Sequence, residues 1–198
     1  MSNDLSRWLA EDGQRFLQAV GVARGAVVLD FGCRRGTYAL PAARLVGPVG
    51  RVYAVDKNGE ALDELMQTAG ASGLANVCRV DTQGDVRVPL ADETVDVVLL
   101  YDVIHLIGWG QDERGAPRKG TAADRRRLLE EMYRVVRPGG LLSVYARHLD
   151  THTDARSEAQ IRVEIEACGF RFLSEPHGDL MHDEKLVEGH VINFTRVP

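Results

Sequence analysis

The sequence predicts an α/β protein built on a doubly wound, mostly parallel β-sheet with helices on both faces. Short apolar runs rich in β-branched residues alternate with longer segments whose apolar residues recur at helical spacing. That alternation is typical of parallel sheets, whose neighbouring strands are joined by right-handed helical crossovers. The 198 residues, 44% hydrophobic and 27% charged, suffice for one globular domain with a substantial core.

Buried parallel strands are predicted wherever a short run is apolar on both faces. A weaker run at residues 77–80 accompanies four strong ones, which span residues 26–31, 51–55, 95–100 and 141–145. Two more predicted strands, at residues 170–173 and 191–195, are joined without a helical crossover. We therefore expect this last pair to be antiparallel.

Helices are predicted between and after the strong runs, at residues 37–46, 60–69, 121–136 and 161–168. Thr121 can cap the third helix, because Asp124 follows three residues later and completes a capping box. The same helix is expected to stop at Arg137-Pro-Gly-Gly140, since proline and glycine do not continue a helix well.

The whole chain is expected to form a single domain with two additions. Residues 1–22 are predicted to form a helical lid with Trp8, Phe16 and Leu17 on its apolar face. Simple packing of this segment onto the sheet is the alternative. Residues 108–120, rich in glycine and charge, are predicted to be an inserted surface loop.

The composition limits the partners and the compartment. The formal net charge of −5 implies no general affinity for nucleic acid, so we expect no nucleic-acid partner. No apolar run approaches the length of a membrane span, and residues 1–8 lack the pattern of a secretory signal. Cys33, Cys78 and Cys168 are scattered, which argues against a disulfide framework or a structural zinc site and favours the cytoplasm.

The stretch that carries chemistry is Asp30-Phe-Gly-Cys-Arg-Arg-Gly36, between the first predicted strand and the first predicted helix. Its glycines let the backbone approach a ligand, and the helix N-terminus offers amides to an anionic group. Asp56 lies 20 residues beyond Gly36 at the tip of the next strand, where a carboxylate can accept hydrogen bonds from ribose hydroxyls. These features predict a nucleoside site. The alternative is that Asp30 and Asp56 only cap helices.

The loop does not contain the GxGxxG pattern of a dinucleotide enzyme. It resembles instead the first motif of class I S-adenosylmethionine-dependent methyltransferases, an acidic residue followed by a glycine-rich loop. Residues 52–56, 95–105 and 134–142 resemble later motifs of that family, in the family's order. The resemblance is closest to small-molecule enzymes of the ubiquinone and menaquinone type. It implies a Rossmann-like, seven-stranded sheet, S-adenosylmethionine as cofactor, and a small-molecule methyl acceptor.

The same resemblance implies a set of cofactor-binding residues. They are Asp30, Gly32, Cys33, Arg34, Gly36, Asp56, Lys57, Thr82, Gln83 and Tyr101. Within this set the glycine-rich loop would hold the methionine end and Asp56 the ribose. Thr82 and Gln83 would contact the adenine, for which a plain surface turn is the alternative.

Arg34 stands where the family usually has its middle glycine. A left-handed backbone would cost an L-residue about 1–2 kcal/mol, and the Cβ would crowd the ligand. Three interpretations remain open. Arg34 or Arg35 pairs with the methionine carboxylate, Arg34 points away as a surface residue, or the chain has lost its cofactor.

The candidate catalytic residues are Tyr101, Asp102 and His105, which follow a strand tip where an acceptor would lie. A general base is needed only if the acceptor loses a proton. His105 is the candidate for that role, and a structural histidine is the alternative.

Two later groups of residues have competing interpretations. The spacing of His148, Asp150 and His152 is compatible with a metal, but we interpret the segment as a solvated loop and expect no metal. The basic residues 118–119 and 125–127 form either a patch for an anionic substrate or RNA, or a solvated helix face. An RNA methyltransferase and a non-catalytic cofactor-binding protein are therefore the alternative functions.

Overall fold

The computed structural model describes residues 2–155 and 157–197. The strands are β1 (Val27–Phe31), β2 (Arg51–Asp56), β3 (Val77–Asp81), β4 (Val95–Tyr101), β5 (Gly110–Gln111), β6 (Pro117–Arg118), β7 (Val136–Tyr145), β8 (Phe170–Ser174), β9 (His177–His182), β10 (Lys185–His190) and β11 (Ile192–Arg196). The helices are α1 (Asn3–Arg7), α2 (Gly13–Val20), α3 (Ala39–Val46), α4 (Gly59–Ala71), α5 (Ala122–Val135), α6 (Leu149–His152) and α7 (Glu158–Ala167). Among the described residues, no helix is long and apolar enough to cross a membrane.

Seven strands form the central sheet in the order β3-β2-β1-β4-β7-β11-β8. β1, β2, β3, β4 and β7 pair in parallel, whereas β11 is antiparallel to both β7 and β8. The predicted doubly wound, mostly parallel sheet with an antiparallel last strand is confirmed. The strand order reverses beside β1, and in such sheets ligands bind at the carboxyl ends of the strands near that reversal.

The core consists of two apolar layers, one on each face of the sheet. In β1, Val28 belongs to the layer beneath α2, α3 and α4, and Leu29 belongs to the layer beneath α5 and α7. Both side chains are fully buried, because successive residues of a strand point to opposite faces. Since both faces are covered, polar side chains gather at the ends of the strands.

The start and end of α5 follow the sequence closely. The Thr121 side chain accepts a hydrogen bond from the amide of Asp124, whose carboxylate accepts one from the Thr121 amide, so the predicted capping box is present. α5 ends at Val135 and β7 begins at the next residue, so the Arg137-Pro-Gly-Gly140 stretch lies inside a strand. A Cβ on Gly140 would lie 3.0 Å from a backbone oxygen of β4, so glycine allows this close approach.

The N-terminal segment is helical, with a π-helical turn at Trp8–Asp12 between α1 and α2. It packs between α3 and the β9–β10 hairpin. Trp8 and Leu17 are fully buried, and Trp8 Nε1 donates to the carbonyl oxygen of Thr37 at 2.8 Å. The segment is therefore part of the core, as the alternative interpretation held, and a role as a lid stays a prediction.

The β9–β10 hairpin was not predicted from the sequence, where residues 177–190 are mostly polar. Leu180 and Met181 supply its buried side chains. Its turn residues, Asp183 and Glu184, have φ values of +45° and +60°, as a type I′ turn requires. Neither is the glycine or asparagine that usually marks such a turn, and so the sequence signal was absent. The ribbon β5–β6, inside the exposed 108–120 segment, was also not predicted.

One buried arginine connects α5 to the last third of the chain. The side chain of Arg125 is fully buried and pairs with Glu164 at 2.6 Å and with Asp154 at 2.7 Å.

Removing one partner of a buried ion pair leaves the other charges uncompensated. Replacing Arg125 by Met should therefore lower the free energy of unfolding by about 3 kcal/mol, measured by urea denaturation. Arg126→Met, which removes an exposed pair with Glu130, is the matched control and should leave the midpoint unchanged. Equal midpoints for the two variants would contradict this account.

Candidate cofactor and acceptor site

The glycine-rich loop after β1 crosses the carboxyl end of β2. The amides of Gly32 and Cys33 both donate to the carbonyl oxygen of Val55, at 2.8 and 3.0 Å. The next amide, that of Arg34, donates to Asp56 Oδ2 at 2.8 Å. The loop and the tip of β2 therefore form one hydrogen-bonded unit, which joins the two halves of the predicted nucleoside site.

Two glycines of the loop are required by both conformation and space. Gly32 and Gly36 have φ values of +86° and +88°, a region that L-residues rarely adopt. A Cβ on Gly32 would lie 2.5 Å from Val103 Cγ2, and one on Gly36 would lie 2.9 Å from Leu65 Cγ. The glycines thus let the loop pack tightly against its own protein, which fixes its position at the sheet edge.

Most amides of the loop already have acceptors within the protein. The amide of Gly36 donates to the carbonyl oxygen of Cys33 at 2.9 Å, in addition to the three bonds described above. Among the residues that the structure describes, the amides of Arg35 and Thr37 have no hydrogen-bond acceptor. These two amides are the ones that the loop can offer to an anionic group.

Both carboxylate oxygens of Asp56 accept a backbone amide. Oδ2 accepts from Arg34, and Oδ1 accepts from Asn58 at 2.9 Å. The N-terminus of α4 is capped instead by the side chain of Asn58, which accepts from the amide of Ala61 at 3.1 Å. Asp56 is therefore not the N-cap residue of α4, and its role as a ribose ligand stays a prediction.

Asp30 lies buried at the end of β1. Its Oδ2 has no hydrogen-bond partner among the described residues. Burial is the largest cause and the charge of Asp56 the second; together they raise the pKa of Asp30 to about 7. A hydrogen bond from the Ala39 amide acts in the opposite direction and lowers the pKa. Because Ala39 is the first residue of α3, the capping alternative holds in part for Asp30. A positively charged group bound at this edge would stabilise the ionised carboxylate.

Arg34 has the left-handed conformation considered above, with φ of +48°. Its side chain is exposed and forms no ion pair with any described residue. The neighbouring Arg35 pairs with Glu64 at 2.7 Å. An exposed side chain without a protein partner is compatible both with the surface-residue interpretation of Arg34 and with pairing to a bound carboxylate. The backbone conformation costs about 1–2 kcal/mol.

The predicted adenine region lies at the end of β3, next to β2. Thr82 is half-buried, and its amide lies 3.4 Å from the carbonyl oxygen of Asp56. Gln83 is exposed with φ of +51°, and its amide donates to Asp81 Oδ1 at 3.2 Å. Lys57 is exposed, and its Cδ would lie 3.9 Å from a Cβ placed on Gly84, next to Gln83. The position fits an adenine contact, and the assignment of these residues stays a prediction.

Tyr101 lies in the core beneath the site. Its hydroxyl hydrogen-bonds to Ser143 Oγ at 2.8 Å, and its ring packs edge-on against Tyr38 with a centroid distance of 4.7 Å. Burial raises the pKa of Tyr101 well above its usual value. The geometry favours packing over proton transfer, while its predicted roles in catalysis and cofactor contact remain untested.

Asp102 and His105 belong to a cluster with three histidines from other elements. Asp102 Oδ2 lies 3.0 Å from His182 Nδ1, and His182 Nε2 lies 3.2 Å from His148 Nε2. The ring of His105 contacts those of His148 and His152, with centroid distances of 5.4 and 5.5 Å. Burial, followed by the neighbouring histidines, lowers the pKa of His105 to about 4. His105 is therefore neutral near pH 7 and can accept a proton, as a weak base.

The sequence did not indicate the members of this cluster correctly. Spacing along the chain grouped His148 with Asp150 and His152, but the structure brings His148 to His182, 34 residues further on. Asp150 is exposed and lies outside the cluster. No sequence signal indicated that His182 contacts Asp102, because His182 is the last residue of β9, a strand of the hairpin that was not predicted.

The basic residues near the 108–120 segment are largely paired. The ion pairs are Arg118–Asp124, Arg125–Glu164 and Arg126–Glu130. The interpretation of this run as a solvated helix face is wrong for Arg125, whose side chain is fully buried. The pairing leaves little free positive charge for an anionic partner.

The chain is similar to known methyltransferases in sequence and in fold. Residues 29–144 match the model of a family described as a methyltransferase domain. An arsenite methyltransferase of Halobacterium salinarum is 32% identical over 124 residues, which are 62% of this chain and 27% of that protein. A demethylmenaquinone methyltransferase of a Geobacillus species is 32% identical over 63% of this chain and 46% of that protein.

Solved structures give the same result for the fold. The crystal structure of an S-adenosylmethionine-dependent methyltransferase from Aquifex aeolicus superposes with a TM-score of 0.70 at 22% identity, covering 97% of this chain and 93% of that one. The chain therefore belongs to the class I S-adenosylmethionine-dependent methyltransferase family. It spans less than half the length of the two curated relatives named above.

Because Arg34 strains the loop without a side-chain contact, replacing it by glycine should relieve the strain. We expect Arg34→Gly to keep or raise the affinity for S-adenosylhomocysteine, by no more than about tenfold. Arg35→Gly is the control, since it removes the same charge from the same loop. Isothermal titration calorimetry measures both. A tenfold loss of affinity in Arg34→Gly alone would instead make Arg34 a ligand contact.

Proposed function

We propose that the chain transfers the methyl group of S-adenosylmethionine to a small-molecule acceptor. One observation carries the proposal: the loop after β1 is hydrogen-bonded to the carboxylate of Asp56 at the tip of β2, within the matched methyltransferase domain. The curated relatives named above are small-molecule methyltransferases by name, which supports the same class of acceptor.

The residues of the loop fit this cofactor. S-adenosylmethionine carries a sulfonium and an ammonium group, and the unpaired Oδ2 of Asp30 is a buried acceptor at the same edge. The free amides of Arg35 and Thr37 suit the methionine carboxylate. When bound, the cofactor supplies an activated methyl group. The residues of the chain hold it and exclude water from its methionine end.

Asp56 can bind a ribose without releasing the loop. Each of its oxygens accepts one amide, from Arg34 and from Asn58. A carboxylate oxygen has two lone pairs, so each can also accept a ribose hydroxyl. The side chain would thereby connect the cofactor to both turns at the sheet edge.

The acceptor would lie beside the ends of β4 and β7. Trp109, whose ring contacts His152 at a centroid distance of 4.7 Å, is 47% exposed and provides an aromatic surface there. His105, in its neutral form, and Asp102 lie on the other side of the proposed acceptor position. Methyl transfer needs an in-line approach, and positioning of the acceptor supplies much of the acceleration. His105 is the general base if the acceptor must lose a proton.

The proposal does not include arsenite or RNA as the methyl acceptor. Arsenite is not the proposed acceptor, because the cysteines do not form the separate arsenic-binding set of arsenite methyltransferases: Cys33 lies in the cofactor loop, Cys78 in β3 and Cys168 just after α7. RNA is not proposed either, since most of the basic run is internally paired. Three unpaired cysteines support a reducing, cytoplasmic location.

Asp56 should be the side chain on which cofactor affinity depends most. Hydrogen bonds to a charged group contribute roughly 1.5–3 kcal/mol. Asp56→Ala should therefore weaken S-adenosylhomocysteine binding by about 10- to 150-fold, measured by calorimetry. Asp56→Asn should lose less, because its amide oxygen still accepts a hydrogen bond.

Asp63→Ala is the matched control, since it removes an exposed carboxylate from α4 and should not change affinity. Equal affinities of the wild type and a folded Asp56→Ala variant would overturn the assignment of Asp56. If neither S-adenosylmethionine nor S-adenosylhomocysteine raised the melting temperature of the wild type, the proposed function itself would fail.

A further inference from the structure

Three side chains with metal-binding atoms meet on the acceptor side of the sheet edge. Asp102 follows β4, His148 follows β7, and His182 ends β9. One potential ligand atom from each lies within 4.8 Å of the others. Within the group, the His182 ring faces Asp102 Oδ2 through Nδ1 at 3.0 Å and His148 Nε2 through Nε2 at 3.2 Å.

The hydrogen bonds of the protein leave one oxygen of this group without a partner. Asp102 Oδ1 is buried and has no hydrogen-bond partner among the described residues, and neither has the buried Nδ1 of His105, which lies 3.5 Å from it. Buried polar atoms without partners are rare in proteins and often mark the place of a missing water or ion. The unpartnered Oδ1 lies near His105, whereas Oδ2 lies near His182, so each oxygen of Asp102 has one imidazole beside it.

The backbone is also strained at two of the three positions. Asp102 and His148 have φ values of +51° and +54°. L-residues rarely adopt such a conformation, and it persists only where the surroundings impose it. Both side chains contact His182.

We propose that Asp102, His148 and His182 bind one divalent transition-metal ion. Two imidazoles and a carboxylate are the donors preferred by Zn²⁺, Co²⁺, Fe²⁺ and Ni²⁺. With metal–ligand bonds of about 2.0–2.1 Å, neighbouring donor atoms lie about 2.9–3.4 Å apart. The 3.0 Å between Asp102 Oδ2 and His182 Nδ1 falls in that interval. The 3.2 Å contact of His148 is to the other nitrogen of His182, so the three ligand atoms, which lie within 4.8 Å of one another, must draw closer around one ion.

A second group of potential metal ligands differs from the first because it already contains a cation. Glu158, Glu175 and His190 also lie close together. The guanidinium of Arg162 already pairs with both carboxylates, at 3.0 and 2.8 Å, so a cation is built into that group. No arginine or lysine pairs with Asp102 in the described part of the chain.

Three protein ligands leave coordination positions for water or for another donor atom. Since Asp102 lies beside the proposed acceptor position, an oxygen, nitrogen or sulfur of the acceptor can occupy one of them. That role in acceptor binding rests on the proposed function, whereas the binding of the ion does not.

The test is titration of the metal-free protein with Zn²⁺ by calorimetry and with Co²⁺ by absorption spectroscopy. We expect one equivalent of each ion to bind, without the charge-transfer band that a cysteine thiolate would give. His148→Asn, His182→Gln and Asp102→Asn should each weaken binding by about tenfold or more. Asparagine tolerates positive φ, so the variants at positions 102 and 148 retain the backbone. His177→Gln, in the same hairpin, is the matched control and should bind like the wild type.

Two results would overturn the proposal: no binding of either ion to the wild type, or equal binding by the wild type and the three folded ligand variants. A parallel titration of the metal-free wild type with S-adenosylhomocysteine separates the two claims. Cofactor binding without metal binding contradicts the metal site alone, and metal binding without cofactor binding contradicts the proposed function alone.

Discussion

The carboxylate of Asp56 joins the loop after β1 to the turn after β2, and the position of the whole site depends on this junction. One oxygen holds the amide of Arg34 and the other holds that of Asn58. Each is a charge-assisted hydrogen bond, which contributes roughly 1.5–3 kcal/mol. The bond to Arg34 offsets the left-handed strain at that residue, so an arginine can stand where glycine would fit more easily.

The loop in turn positions the acceptor side. Gly32 lies so close to Val103 that even a methyl group would clash. Val103 follows Asp102 and precedes the 3-10 turn of His105, so the place of the loop determines where that turn can lie. The proposed cofactor end and the proposed acceptor end of the edge are therefore joined by packing, and displacement of the loop would move the histidine cluster as well.

The sequence predicted the central sheet because that sheet depends on local patterns, and the prediction of the cofactor residues rests on patterns of the same kind. Runs that are apolar on both faces indicated the parallel strands, and the spacing of Gly36 and Asp56 followed from one strand–helix–strand unit. The acceptor half depends on contacts between distant residues. His182 contacts Asp102 from the end of β9, in the β9–β10 hairpin. The turn of this hairpin, Asp183–Glu184, lacks glycine, so the sequence indicated neither the two strands nor the contact with Asp102.

The central claim is that the junction at Asp56 is where the nucleoside of the cofactor binds. A crystal structure of the protein with S-adenosylhomocysteine tests this most directly. The account predicts both ribose hydroxyls within about 2.6–3.2 Å of the Asp56 carboxylate oxygens, with the Arg34 amide still bonded to Oδ2. A nucleoside bound elsewhere, with Asp56 contacting only Arg34 and Asn58, would contradict it.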